Sequence, residues 1–146
     1  MLVSKIMSES PRTISRDATI EDAARAMTER SVSCLPVVDG DGNVVGLISE
    51  SDFIGRMSAV PFSREERHSL FGIWTETRDI TKACRAAAGL SLKEFMRTPV
   101  IAVAPDDTVE RAVEMMLKHR VRRLPVVKDG KPVGVLCRRD LLKVFL

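Results

Sequence analysis

The chain has 146 residues, enough for one domain or for two small repeats sharing a core. Hydrophobic residues make up 45% and charged residues 29%, as in an ordinary globular protein, and no apolar run approaches the roughly 20 residues that cross a bilayer. The net charge of +3 is too small by itself to argue for a nucleic-acid partner.

Taken from the start, a first repeat begins near Ile6-Met7, and Thr13-Ile14-Ser15 is short and β-prone after Pro11, which discourages a helix. Thr19 is a good N-cap, with Glu21 and Asp22 in the first turn, where the helix dipole favours negative charge. Ile20, Ala23, Ala24 and Met27 form the stripe of a helix with one buried face, which is expected to end near Arg30. Two apolar, β-branched runs follow, Cys34 to Val38 and Val44 to Ile48, joined by Asp39-Gly40-Asp41-Gly42-Asn43. Glycine and Asx residues suit a hairpin turn, and runs this apolar suggest strands covered on both faces. A short helix from Ser51 to Met57 is expected to close the unit.

The same order returns later. Asp17, Thr19, Glu21, Ala23, Met27, Leu35, Pro36, Val37 and Val38 match Asp106, Thr108, Glu110, Ala112, Met116, Leu124, Pro125, Val126 and Val127 at an offset of 89. One residue drops out of the turn, and Gly42, Gly46 and Asp52 match Gly130, Gly134 and Asp140 at an offset of 88. Agreement at caps, helix face, turn and strand end together is the signature of an internal repeat. A unit of about fifty residues buries too little surface alone. The expectation is therefore an α+β protein: two β-α-β-β-α repeats packed sheet to sheet with pseudo-two-fold symmetry, plus a helical insertion. Repeat one covers 1–57, the insertion 58–93 and repeat two 94–146, as one intertwined module. In the insertion, Ser63–Arg67 and Asp79–Ala88 look helical, with Gly89 as C-cap. Phe62, Leu70, Phe71 and Trp74 are its large apolar groups, there for packing on the module or for a partner.

The end of each hairpin carries the chemistry. Gly46 lets backbone approach closely where a strand ends. Ser49 and Ser51 offer hydroxyls at a helix start, a natural anion position, and Asp52 places a carboxylate where it can accept from the two vicinal hydroxyls of a ribose. The alternative is that Asp52 simply caps the following helix. Charge is also uneven: residues 1–57 hold 6 Lys/Arg and 9 Asp/Glu, whereas residues 94–146 hold 11 and 7.

Helix, Leu-Pro-Val-Val, Asp-Gly turn and Gly-h-h-Ser/Thr-x-x-Asp (h apolar), occurring twice, resembles the CBS domain, and two in tandem resemble a Bateman module. The insertion is similar, more loosely, to that of small stand-alone CBS-pair proteins. The resemblance implies a regulatory sensor that binds AMP, ADP, ATP, NAD or S-adenosylmethionine in clefts between the repeats, pairs as a homodimer and signals to a protein partner. It implies a first site with ribose at Ser49, Ser51 and Asp52, adenine against Leu47 and Pro99-Val100-Ile101, and phosphates toward Arg122 and Arg123. A forked guanidinium suits phosphate, although both arginines also read as a solvated strand end. The second site would use Cys137, Arg139 and Asp140, with Val135 and Pro11-Arg12-Thr13 around adenine and Arg138 toward phosphate. Here the chain departs from the pattern: Cys137 replaces the hydroxyl residue, and Ser33-Cys34 stands where repeat two has its arginine pair.

An enzyme is not expected. There is no Ser-His-Asp or Cys-His context, no Walker loop and no Gly-x-Gly-x-x-Gly. Cys34, Cys84 and Cys137 are expected as free thiols, and with His68 and His119 they share no metal-ligand spacing. Met1 to Met7 lacks the features of a signal peptide, so a cytoplasmic protein without a membrane segment is expected. Two alternatives stay open. One is a dimerisation or docking scaffold with empty clefts. The other is a nucleic-acid-binding face of Arg120, Arg122, Arg123, Lys128, Lys131, Arg138 and Arg139, disfavoured by the lack of Tyr and of aromatic surface for stacking.

Overall fold

Local sequence signals become matching structure in the two copies. The computed structural model describes residues 1–53, 67–70, 73–76, 79–96 and 98–146. A 3-10 turn at Val3–Lys5 is followed by β1 (Ser8–Glu9) and β2 (Ile14–Ser15). Thr19 caps α1 (Ile20–Arg30) in a capping box: its hydroxyl accepts from the Asp22 N–H at 3.2 Å, and the Asp22 carboxylate accepts from the Thr19 N–H at 2.9 Å. The Thr19 N–H, which contributes most, and the Thr19 hydroxyl hold the Asp22 carboxyl below its usual pKa. The helix buries Ile20, Ala23 and Met27, the face its periodicity marks out.

Strands β3 (Cys34–Val38) and β4 (Val44–Ser49) follow, then α2 (Glu50–Phe53). The expected continuation of α2 to Met57 lies outside the described residues, as do Ser63 to Glu66, Phe62 and Phe71. At Arg67 the insertion departs from the expected helix. Arg67–Leu70 is β5, pairing antiparallel with β6 (Ile73–Glu76), so the insertion carries a hairpin besides its helix α3 (Ile80–Ala87). His68 and Leu70 pair with Thr75 and Ile73 across the hairpin, two residues apart on each strand, a spacing that the charged run before them conceals.

Repeat two adds α4 (Val109–His119), β7 (Arg123–Lys128), β8 (Lys131–Cys137) and a closing 3-10 helix over Arg138–Phe145 in place of an α-helix. Both long helices end on a residue in the left-handed region, Ser31 (φ 52°) and Arg120 (φ 53°). The protein is α+β, with two three-stranded sheets, ordered β2-β3-β4 and β1-β8-β7. Strand β1, from repeat one, thus completes the sheet of repeat two.

The chain divides into two compact units: Met1–Ser15 with Leu35–Leu47 and Arg97–Leu146, and Arg16–Cys34 with Ile48–Met96. The first is built on Val3, Ile6, Val103, Val109, Ala112, Met116, Leu124, Val126 and Leu136. Its two hairpin turns meet: the Val44 N–H donates to the Gly130 carbonyl at 2.8 Å, and the Lys131 ammonium donates to the Asp41 carbonyl. Gly42 (φ 80°) and Gly130 (φ 79°) supply the left-handed residue of each turn, and a Cβ on Gly130 would fall 2.6 Å from Asn43 Oδ1. The second unit buries Ile20, Ala23 and Met27 of α1, Ala83 and Ala87 of α3, and Leu92.

Each unit contains one half of an exchange. In the first, the Val3 N–H donates to the Asp107 carbonyl at 2.9 Å and the Val109 N–H to the Met1 carbonyl at 3.0 Å. In the second, the Leu92 N–H donates to the Ala18 carbonyl and the Ile20 N–H to the Leu90 carbonyl, both at 3.0 Å. These are the same bonds at an offset of 89. The lead-in segment of one repeat therefore docks on the helix start of the other.

Candidate functional site

The candidate side chains stand where each second strand turns into a helix. In repeat one, Asp52 Oδ2 accepts from the Ser49 N–H at 2.8 Å and from the Ser49 hydroxyl at 3.3 Å, while the Ser49 and Ser51 hydroxyls lie 2.8 Å apart. Ser49 is buried and Asp52 half-buried. In repeat two, Asp140 Oδ2 accepts from the Cys137 N–H at 2.8 Å. The helix start is pinned the same way in both copies: the Glu50 N–H donates to the Ser33 carbonyl at 3.0 Å and the Arg138 N–H to the Arg122 carbonyl at 2.9 Å.

Capping, one of the two readings of Asp52, is thus present, and it uses one carboxylate oxygen. A carboxylate has two oxygens and about four acceptor positions, so a cap leaves acceptor capacity for a hydroxyl. The two roles are compatible.

The second constellation lies within the first unit. Ser8 pairs with Val135 and Glu9 with Gly134, which brings Pro11, Arg12 and Thr13 out from the edge next to β8. Arg12 is exposed, Pro11 and Thr13 half-buried, and Val135 almost fully buried, so Val135 contributes mainly to the core. Arg123 is the ladder partner of Cys137, and Arg122 is bonded to Arg138. Arg122 and Arg123, expected toward the phosphates of the first site, and Arg138 and Arg139, expected at the phosphate and ribose positions of the second, therefore start from adjacent backbone at one end of the β7–β8 ladder. Pro99 is exposed, Val100 half-buried, and Ile101 packs on the first unit's core. Leu47 is half-buried on β4.

One residue absent from the expected set contacts Asp140. The Lys143 ammonium lies 3.0 Å from Asp140 Oδ1 and donates to the Ile6 carbonyl at 2.6 Å. Its i, i+3 spacing from Asp140 on a closing helix was the available signal. Among the described residues no group of three or more His, Cys, Asp or Glu is arranged to hold a metal, and no helix is long and apolar enough to cross a membrane.

The family model of the CBS domain matches residues 3–59 and 92–146, one match on each repeat. The chain belongs to the CBS domain family. This CBS pair is 34% identical to the CBS domain of a CBS domain-containing membrane protein from Sphaerobacter thermophilus, covering 100% of this chain and 88% of that one, with a TM-score of 0.71. The CBS domain pair of protein MJ0100, solved in complex with 5′-methylthioadenosine and S-adenosyl-L-methionine, is 25% identical over 99% of this chain and 95% of that one, with a TM-score of 0.69. An uncharacterized protein of Methanocaldococcus jannaschii is 27% identical, the alignment covering 100% of this chain and 92% of the relative. Other relatives are larger, and the chain spans 56% of some and 24% of others.

Proposed function

We propose that this CBS pair is a regulatory module, without catalysis of its own, that binds an adenosine-containing ligand such as AMP, ADP or ATP. The observation that carries the reading is the repeated strand-end carboxylate. Asp52 and Asp140 hold the same backbone-anchored position in both copies, and the MJ0100 pair, 25% identical, was solved with two adenosine compounds. Asp52, beside the Ser49 and Ser51 hydroxyls, takes the ribose. Leu47 and Pro99-Val100-Ile101 flank the adenine, and Arg122 and Arg123 meet phosphate. Arg138, Arg139 and Cys137 surround the matching position near Asp140, with Pro11, Arg12, Thr13 and Val135 on its adenine side.

A ligand regulates only through a difference in affinity between two arrangements of the protein. The module passes that difference to a partner as a homodimer. Leu117, Leu142 and Phe145, which are 64%, 62% and 86% exposed, supply apolar surface for a second copy. The cysteines are unbridged, with Cys34 buried and Cys84 exposed, which suits a reducing cytoplasm.

The test is a thermal-shift screen over AMP, ADP, ATP, NAD and S-adenosylmethionine, followed by calorimetry on Asp52→Ala and Arg123→Ala. Two lost charge-assisted hydrogen bonds weaken binding by at least about 3 kcal/mol, roughly a hundredfold. Unchanged affinity in both variants would remove the site assignment. No shift with any ligand, together with a stable dimer in light scattering, would instead identify a docking scaffold.

A further inference from the structure

The two strand-end carboxylates are not equally open. Asp140 is engaged through both oxygens, Oδ2 with the Cys137 N–H at 2.8 Å and Oδ1 with the Lys143 ammonium at 3.0 Å. Its side chain is only 13% exposed, and Lys143, whose side chain is 48% exposed, also donates to the Ile6 carbonyl at 2.6 Å. The lysine thus ties the closing helix and the Asp140 carboxylate to the lead-in segment of repeat one. Asp52 differs. Among the described residues its bonds run to Ser49 alone, through Oδ2. At the offset of 88 that relates Asp52 to Asp140, the partner of Lys143 is Gly55, which has no side chain to offer an ammonium.

We infer that Lys143 closes the second copy's ribose position, so that one ribose-bearing ligand binds per chain, at Asp52 and not at Asp140. The inference rests on the adenosine-ligand reading above. An ammonium fixed between a carboxylate and a backbone carbonyl offers the same donors that a pair of ribose hydroxyls would offer, with full charge. A diol entering at Asp140 has to displace that ammonium and leaves it only one of its two partners. A charge-assisted hydrogen bond is the stronger of the two competing interactions, so the intrinsic preference for Asp52 is expected to be at least about tenfold. The nearby Arg138 and Arg139 add positive charge around Asp140 without replacing the missing acceptor.

Calorimetry with two probes that both carry a ribose diol, AMP and S-adenosylmethionine, tests this on the full chain. Wild type is expected to take one ligand. Lys143→Ala, and Lys143→Gly as the equivalent of Gly55, are expected to take two, and Asp52→Ala none. Asp52→Ala combined with Lys143→Ala is expected to take one, now at Asp140. Thermal denaturation of each variant shows that it is folded. Two ligands per wild-type chain, or a single ligand persisting in both Lys143 variants, overturns the role of the lysine while leaving the adenosine-ligand reading intact. Absence of binding by either probe in every protein overturns both.

Discussion

Gly134→Ala probes the strand that repeat one lends to repeat two. Gly134 is buried in β8, opposite Glu9 of β1, and a Cβ added there would lie 2.8 Å from the Ser8 carbonyl oxygen, 2.7 Å from Met7 Sδ and 3.2 Å from Met7 Cγ. The methionine can rotate away, but the backbone oxygen moves only with the strand. Forcing one methyl into such a space costs about 1–3 kcal/mol. If β1 peels off instead, its two residue pairs cap the loss near 2 kcal/mol, at about 1 kcal/mol per hydrogen bond. Alanine also narrows the unfolded ensemble, which returns about 0.4–1 kcal/mol. The net expectation is a destabilisation of about 1–1.5 kcal/mol, a fall in Tm of roughly 3–5 °C. Urea and thermal unfolding of the two proteins measure it, and the slope of the urea transition should not change. A midpoint that stays within about a degree, or rises, would show that β1 does not press on β8 as described.

Leu35→Ala and Leu124→Ala remove fully buried side chains at matching positions, and each should cost about 3 kcal/mol in denaturant melts, with similar values in the two repeats. Arg120→Gly should stabilise, because a left-handed C-cap strains any side chain; a gain of about 0.5–1 kcal/mol is expected in urea melts, and a loss would contradict the cap. Asp22 is held below its usual pKa of 3.8 by the Thr19 N–H and hydroxyl, so its stabilising effect is complete above that value and disappears as the pH falls through the lower folded value. Accordingly, the stability difference between wild type and Asp22→Asn, followed by urea melts across pH, should be flat above about pH 5 and shrink in acid.

Much of this fold is written locally. The Thr19 and Thr108 caps, the apolar faces of α1 and α4 and the glycine turns at Gly42 and Gly130 depend on residues within a few positions of each other, which periodicity and turn chemistry report. What pairs with what across a hundred residues is not local. Ser8–Glu9 carries no sign that its partner is Val135 rather than its own repeat, because two exposed residues hold too little pattern to specify a register. The hairpin at Arg67–Glu76 was hidden for a related reason, since Arg, His and Glu in short strands blur the apolar alternation. At the candidate site, Asp52 and Asp140 stood out because they repeat. Lys143 did not stand out, since its importance comes from the Ile6 carbonyl, a backbone atom that no sequence motif displays.

The exchanged lead-in segments have a consequence for synthesis. Val3 waits for Asp107, and α1 waits for Leu90 and Leu92, before its first N–H group and the carbonyl just before it are satisfied. At typical elongation of about 5–20 residues per second, the roughly sixty residues from the end of α1 to Leu92 amount to some 3–12 s on the ribosome with α1 translated and its docking partner not yet made. Such long-range closure belongs to slow, high-contact-order folding. A nascent chain halted after the first repeat should therefore hold an incomplete helix start and an unfilled sheet edge. Translation through Leu92 supplies the partners of the α1 start, and translation of the second repeat supplies those of Val3 and of β1.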